Sequence, residues 1–182
     1  MDFAEKFQQA LSYGDFLDRH ASPDQRQQWD DFHRSIQLTP AQRDLLAGFT
    51  RQQRVLCLAG SWCGDCVRQC PIFDHFQHVN PLLEVRYQDR DNDHELQESL
   101  EICGGSRVPV VVFLSEDNLE VARYGDRTLS KYRQMAAHLD GDNESSSVAE
   151  RTSAVVQEWL NEFERTQLLL RTSPRLREKH GD

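Results

Sequence analysis

Apolar residues change their spacing along the chain, and each change predicts a change of element. Over the first 53 residues they recur three and four apart, the period of helices that bury one face. Phe3, Phe7 and Leu11 fall on one such face. Ser22-Pro23 and Thr39-Pro40 each read as an N-cap followed by proline in the first turn. The first opens a helix with Trp29, Phe32 and Ile36 on one side, the second a helix with Leu45, Leu46 and Phe49. The two starts, Ser-Pro-Asp-Gln-Arg and Thr-Pro-Ala-Gln-Arg, are alike. Shared helix-start chemistry accounts for this better than a duplicated unit, because a repeat array needs about three copies.

After Arg54 the pattern becomes that of strands. Val55 to Ala59 is continuously apolar, as expected for a strand buried on both faces. Gly60 to Gly64 reads as a loop, and a helix from about Cys63 to Val79 follows, interrupted by Pro71. Leu83 to Tyr87 alternates as a second strand, and a helix is expected near Glu95 to Ile102. Val108 to Leu114 is the most strand-like run; Asp117-Asn118 turns it into a further strand at Leu119 to Tyr124, and Thr128 caps a helix to about Leu139. The order from about residue 54 to 139 is thus β-α-β-α-β-β-α, an α/β arrangement with a parallel core and an antiparallel edge hairpin.

The expected organisation is a helical extension at 1–53, an α/β domain at 54–139, a Ser-, Asp- and Glu-rich linker at 140–153, and an amphipathic helix with a tail at 154–182. Val155, Val156, Trp159, Leu160 and Phe163 form the stripe of that last helix, and the basic end with Arg171, Arg175, Arg177 and Lys179 reads as a solvated, frayed terminus.

Charge narrows the function. The 182 residues carry a net charge of -9, a poor match for nucleic acid or an anionic membrane surface. No apolar run approaches the length of about 20 residues that spans a bilayer, and Met1 to Glu5 shows neither basic nor apolar leader character, so the cytoplasm is the expected setting. Five cysteines cannot all pair internally, which argues against a secreted disulfide framework. Four of them cluster at Cys57, Cys63, Cys66 and Cys70, and Cys103 stands apart.

Ser61-Trp62-Cys63-Gly64-Asp65-Cys66 follows a buried strand and opens a helix. A Cys-x-x-Cys in that setting points to thiol–disulfide exchange. The helix start favours the Cys63 thiolate, which is the nucleophilic form. The two-residue spacing lets Cys66 reach it. Gly64 admits a substrate backbone, and Trp62 offers a flat apolar lip.

Trp-Cys-Gly-x-Cys on a strand-to-helix turn resembles the thioredoxin family, and Pro71, Val108-Pro109 and the element order extend the resemblance over about residues 50 to 139. It is nearest to bacterial members with a Trp-Cys-Gly-Asp-Cys site and a helical N-terminal extension. The resemblance implies a thioredoxin fold, Cys63 as the attacking and Cys66 as the resolving cysteine, and a cis Pro109 that presents Val108 to an extended substrate as an added strand. It further implies protein disulfides as substrates, a thioredoxin-reductase-like protein or a low-molecular-weight thiol as reductant, and no bound cofactor or metal. The added helices could also form an oligomer interface.

The chain departs from that family in two places. Asp65 stands where members usually have proline; a carboxylate there opposes the Cys63 thiolate and tilts the couple toward the reducing side. Arg68, one turn later, is placed to pair with Asp65 and weaken the effect; the plainer reading of Asp65 is a good first-turn helix residue. Cys57 stands where many members have a buried aspartate thought to deprotonate the resolving thiol, and it reads as a small core residue. Cys70 is expected in the core, while Cys103, in the loop before Pro109, is a candidate accessory thiol. Two other classes stay open. Cys63, Cys66 and Cys70 with His75 or His78 supply enough ligands for zinc, although the second ligand cluster of a structural site is missing. A redox-inactive interaction module would use the scaffold as a docking surface.

Overall fold

The computed structural model describes residues 1–140 and 147–182. Four strands, β1 (Gln53–Ala59), β2 (Leu83–Asp89), β3 (Val110–Leu114) and β4 (Glu120–Gly125), form one sheet in the order β2-β1-β3-β4. β1 and β2 run parallel, with Val55 opposite Val85 and Cys57 opposite Tyr87. The β3–β4 hairpin joins antiparallel to β1, with Val55 opposite Phe113 and Cys57 opposite Val111. β1 and β3 are central, and every one of their residues but Arg54 is buried. That is why both read as unbroken apolar runs. β4 is one of the two edge strands, partly exposed, with Glu120 and Arg123 paired along it, a charged edge that discourages further strand addition.

The N-terminal region forms α1 (Phe3–Gln9), α2 (Tyr13–His20), α3 (Pro23–Ser35) and α4 (Pro40–Ala47). Ser22 and Thr39 cap α3 and α4 through reciprocal capping boxes with Gln25 and Gln42, each worth about 1 kcal/mol. α2 escapes the sequence pattern altogether, yet its Phe16 and Leu17 are buried and Phe16 lies against Tyr87 of β2. Leu11, expected on the α1 face, instead makes an isolated bridge with Tyr87, exchanging both backbone hydrogen bonds at 2.9 and 2.7 Å.

The helix expected at Cys63 to Val79 is two helices, α5 (Gly64–Val67) and α6 (Cys70–Val79). Gln69 leaves the helical region (φ -127°, ψ -51°), and Pro71 occupies the first turn of α6, where its missing N–H costs nothing. α7 (His94–Ser99) and α8 (Leu129–Leu139) follow β2 and β4. Thr128 flanks α8 as expected but makes no side-chain cap; the Glu158 carboxylate does that work, accepting from the Ser130 N–H at 2.9 Å.

Part of the expected 140–153 linker lies outside the described residues, and its end is already helical: α9 runs Val148–Thr172 from a Ser147–Glu150 capping box. α9 places Phe163 edge-on against Phe113 at 5.1 Å and Trp159 against Phe73 at 4.6 Å. One hydrophobic core therefore runs from Phe3 to Phe163 through the sheet. The basic end is not frayed. α10 (Pro174–His180) buries Leu176, Arg175 pairs with Asp117, and Asp182 pairs with the buried Arg51 at 2.6 Å. Among the described residues no helix is long and apolar enough to cross a membrane.

Candidate active site

The candidate site lies where β1 ends. Gly60 lets the chain turn under the Trp62 ring, since a Cβ there would stand 2.8 Å from the indole. The Cys63 N–H closes the turn on the Gly60 carbonyl at 3.0 Å. The N-terminal helices hold this loop from behind. Trp29 donates its indole N–H to the Ser61 carbonyl at 2.8 Å, and the Ser61 hydroxyl donates to the His20 carbonyl at 2.7 Å. Neither contact was legible in the sequence, because the partners lie more than thirty residues apart.

Trp62 is 47% exposed. Its indole N–H donates to Asp91 at 3.2 Å, and the Arg90 guanidinium lies 4.5 Å from its ring centre. Such a cation–π contact contributes about 0.5–1 kcal/mol at an exposed site, so the lip is positioned and not loose. The acidic residues beside it have structural roles: Asp89 caps the turn Arg90–Asn92, and Asp93 caps α7 and pairs with Lys6.

Cys63 is the N-cap of α5 and half-buried; Cys66 is fully buried. α5 has only four residues, and although the Asp65 and Cys66 N–H groups at its start favour the Cys63 thiolate as the sequence suggested, larger effects outweigh them. The decisive interaction is between the two sulfurs. Burial opposes charge on Cys66, but the Cys63 and Cys70 thiols and the Gly60 N–H, 3.5 Å away, all donate to it and bring it down to about 5. The same hydrogen bond to Cys66, then burial, pushes the Cys63 thiol well up. Two groups so coupled titrate as a pair, with an easy first proton and a difficult second one. Transfer of the remaining proton from Cys63 to Cys66 moves the charge to the sulfur that solvent can reach.

Opposite the pair, the Val108–Pro109 peptide bond is cis, and the Val108 carbonyl oxygen lies 3.5 Å from the Cys63 sulfur, a second acceptor competing for its one proton. Gly125 backs this segment. Its φ is +153°, and a Cβ would stand 2.5 Å from the Pro109 carbonyl oxygen. The following Gly125–Asp126 bond is also cis. Gly64, by contrast, has nothing within 4 Å of where its Cβ would be, so its face is open.

Asp65 does not pair with Arg68. Its carboxylate meets Arg127 at 2.8 Å, and Arg127 also holds Asp126 at 2.9 Å. α5 stops at Val67, so Arg68 is its C-cap and no longer lies on the helical face that carries Asp65. Arg68 instead lines a groove of about 530 Å³ that opens beside Gly64 and Asp65 and includes Lys131 of α8. Gln69 ties the region together, donating to the Asp126 carbonyl at 3.0 Å and the Asp65 carbonyl at 3.2 Å while accepting from the Trp159 indole at 3.0 Å.

Cys57 and Cys70 are both fully buried, with their sulfurs 3.8 Å apart. Cys103 is exposed at φ +53° in the turn closed by Ile102 and Gly105; among the described residues its sulfur meets no other. His75 and His78 turn away from the cysteines, toward the His33 and Asp74 carbonyls. Among the described residues no group of three or more His, Cys, Asp or Glu is arranged to hold a metal ion, so the zinc reading finds no ligand set there.

Residues 11–139 match a family described as Thioredoxin. The chain belongs to the thioredoxin family. The match begins at residue 11 and so takes in α2, α3 and α4 together with the Cys63–Cys66 pair. No curated protein matches the sequence. Among solved structures, a Pseudomonas aeruginosa protein of unknown function superposes with a TM-score of 0.72 at 19% identity, over 90% of this chain and 98% of that one. An HIV epitope-scaffold superposes with a TM-score of 0.71 at 19% identity, over the same shares. At these identities the likeness is one of fold. It shows a thioredoxin-type mixed sheet flanked by helical extensions at both ends.

Proposed function

We propose that this thioredoxin-family chain is a thiol–disulfide oxidoreductase that reduces disulfides of protein substrates through the Cys63–Cys66 couple. The observation that carries the reading is the pairing of a half-exposed and a buried sulfur in hydrogen-bond contact, opposite the Val108 carbonyl. Exposure selects Cys63 as the attacking sulfur. Its thiolate attacks one sulfur of the substrate disulfide, the substrate S–S bond breaks, and the released substrate thiolate takes a proton. Cys66, as thiolate, then attacks the Cys63 sulfur of the mixed disulfide. The second substrate thiol leaves, and the Cys63–Cys66 disulfide carries away the oxidising equivalent.

Val108 and Pro109 would receive an extended substrate segment by main-chain pairing, with Gly64 giving it room and Trp62 covering its far side. Asp65 sets the thiolate's surroundings, moderated by Arg127. The dithiol is restored by an external reductase of the thioredoxin-reductase type or by a low-molecular-weight thiol, which suits a reducing compartment such as the cytoplasm. The test is dithiothreitol-driven reduction of insulin. The wild-type chain accelerates it and Cys63→Ser abolishes the acceleration; equal rates for the two proteins overturn the reading.

A further inference from the structure

Two more sulfurs lie in line behind the Cys63–Cys66 pair. Cys70, the first residue of α6, lies near enough to Cys66 for each thiol to shift the other's titration. Its sulfur also lies 3.8 Å from that of Cys57 on the central strand. The four sulfurs therefore follow one another inward from the half-exposed Cys63 through Cys66 and Cys70 to Cys57, and the inner three are fully buried. The placement follows from the fold. Register puts Cys57 between Tyr87 and Val111 on one face of the sheet, and the Tyr87 hydroxyl, donating to the Cys70 carbonyl at 3.0 Å, fixes the start of α6 against that face.

We propose that Cys57 and Cys70 form a second, internal dithiol couple that accepts the disulfide of Cys63–Cys66 by exchange, so that one chain can store two disulfides. The inference rests on the redox reading of Cys63–Cys66. In the first step the Cys70 sulfur attacks Cys66. The Cys63–Cys66 bond breaks, Cys66–Cys70 forms, and Cys63 leaves with the proton that Cys70 gives up. In the second step Cys57 attacks Cys70, Cys66–Cys70 breaks, Cys57–Cys70 forms, and Cys66 leaves with the proton from Cys57. The outer pair ends reduced and the inner pair oxidised, with no outside reagent consumed.

The order of attack follows from position: Cys66 and Cys70 each shift the other's thiol, and Cys70 lies behind Cys66 on the buried side of the pair. Cys66 is also the better leaving group of the second step, since the more acidic thiol departs faster. Closing a contact of 3.8 Å to a bond of about 2.05 Å requires side-chain rotation, and cysteine has a single χ angle to turn. Burial holds the Cys57 and Cys70 thiols in their protonated forms, which keeps exchange slow. It also shuts out external oxidants, so that Cys66 is the route in.

The experiment is disulfide mapping of the full-length protein. The reduced chain is incubated with oxidised glutathione, denatured in an alkylating reagent and digested. The expected result is a Cys57–Cys70 peptide together with an oxidised outer pair, and formation of that peptide at least about tenfold slower in Cys63→Ser, in which the exchange route is cut. If the outer pair is oxidised while Cys57 and Cys70 are both recovered alkylated, the internal couple is overturned and the proposed function stands. Equal rates of Cys57–Cys70 formation in wild type and Cys63→Ser overturn the exchange route. If neither pair oxidises, both readings fall.

Discussion

The Arg127 guanidinium lies 2.8 Å from the Asp65 carboxylate, so the one acidic residue inside the Cys-x-x-Cys is answered by a cation from the far end of the hairpin. Asp65 raises the cost of a thiolate at the pair and Arg127 lowers it. Arg127→Gln should therefore make the Cys63–Cys66 couple more reducing, and Asp65→Asn more oxidising, each by on the order of 10–30 mV, the equivalent of up to about one pKa unit. Equilibration against a glutathione buffer reads both shifts. Equal potentials in all three proteins would show that the ion pair serves helix packing alone. Arg68→Gln should leave the potential unchanged, because Arg68 faces the groove.

The shared proton of the thiol pair sets the pH profile. Below about 5 both sulfurs are protonated and no thiolate is available. Above that value one thiolate exists per pair, so alkylation of Cys63 by iodoacetamide should climb through this range and level off well below the ordinary thiol value of 9.0. Cys63→Ala removes a donor to the Cys66 sulfur. With burial then less opposed, the Cys66 thiol should titrate upward, read by thiolate absorbance at 240 nm. A Cys66 titration unmoved by that substitution would remove the hydrogen bond as its cause.

The local pattern around Cys63 was legible because its information is local. An apolar strand, a Gly-flanked turn and a two-residue Cys spacing lie within one short stretch of chain, and the capping boxes of α3 and α4 declare themselves likewise. What escaped the sequence depends on long-range partners. Arg127 reaches Asp65, Glu158 caps α8, and Asp117 and Arg51 dock the basic C-terminal segment, each across a wide separation in sequence. α2 was missed although Tyr13, Phe16, Leu17 and His20 recur at helical spacing, because it is only eight residues long and carries Gly14 and two aspartates. The interruption expected at Pro71 in the helix from Cys63 to Val79 falls two residues earlier for a related reason. Its break is set at Gln69, whose side chain is committed to Asp126, Asp65 and Trp159 and not to the helix.

Gly125→Ala tests what holds Val108 against Cys63. The added methyl meets the Pro109 carbonyl at 2.5 Å from a backbone at φ +153°, which only glycine adopts readily. The expected loss is about 2 kcal/mol or more in urea unfolding, with lower insulin reduction per folded molecule. Gly64→Ala is the informative partner, since open space surrounds that position. It should retain wild-type stability within about 1 kcal/mol and raise KM if a substrate backbone passes there. A Gly125→Ala protein as stable and as active as wild type would mean that the Pro109 segment yields freely.

Trp159 links α9 to the site more directly than packing alone. It is fully buried, stands edge-on to Phe73 at 4.6 Å and Tyr124 at 4.9 Å, and donates its indole N–H to Gln69 at 3.0 Å. Gln69 in turn holds the carbonyls of Asp65 and Asp126. Trp159→Ala should cost about 3–5 kcal/mol through the cavity it leaves. Trp159→Phe separates the two contributions: it keeps much of the ring but strands the buried Gln69 oxygen, at about 1–3 kcal/mol. Urea midpoints at unchanged m measure both losses. If the indole hydrogen bond positions the loop, Trp159→Phe should also shift the Cys63–Cys66 potential. A midpoint shift with an unmoved potential would confine α9 to holding the fold, and no shift in either would remove the indole N–H from the account.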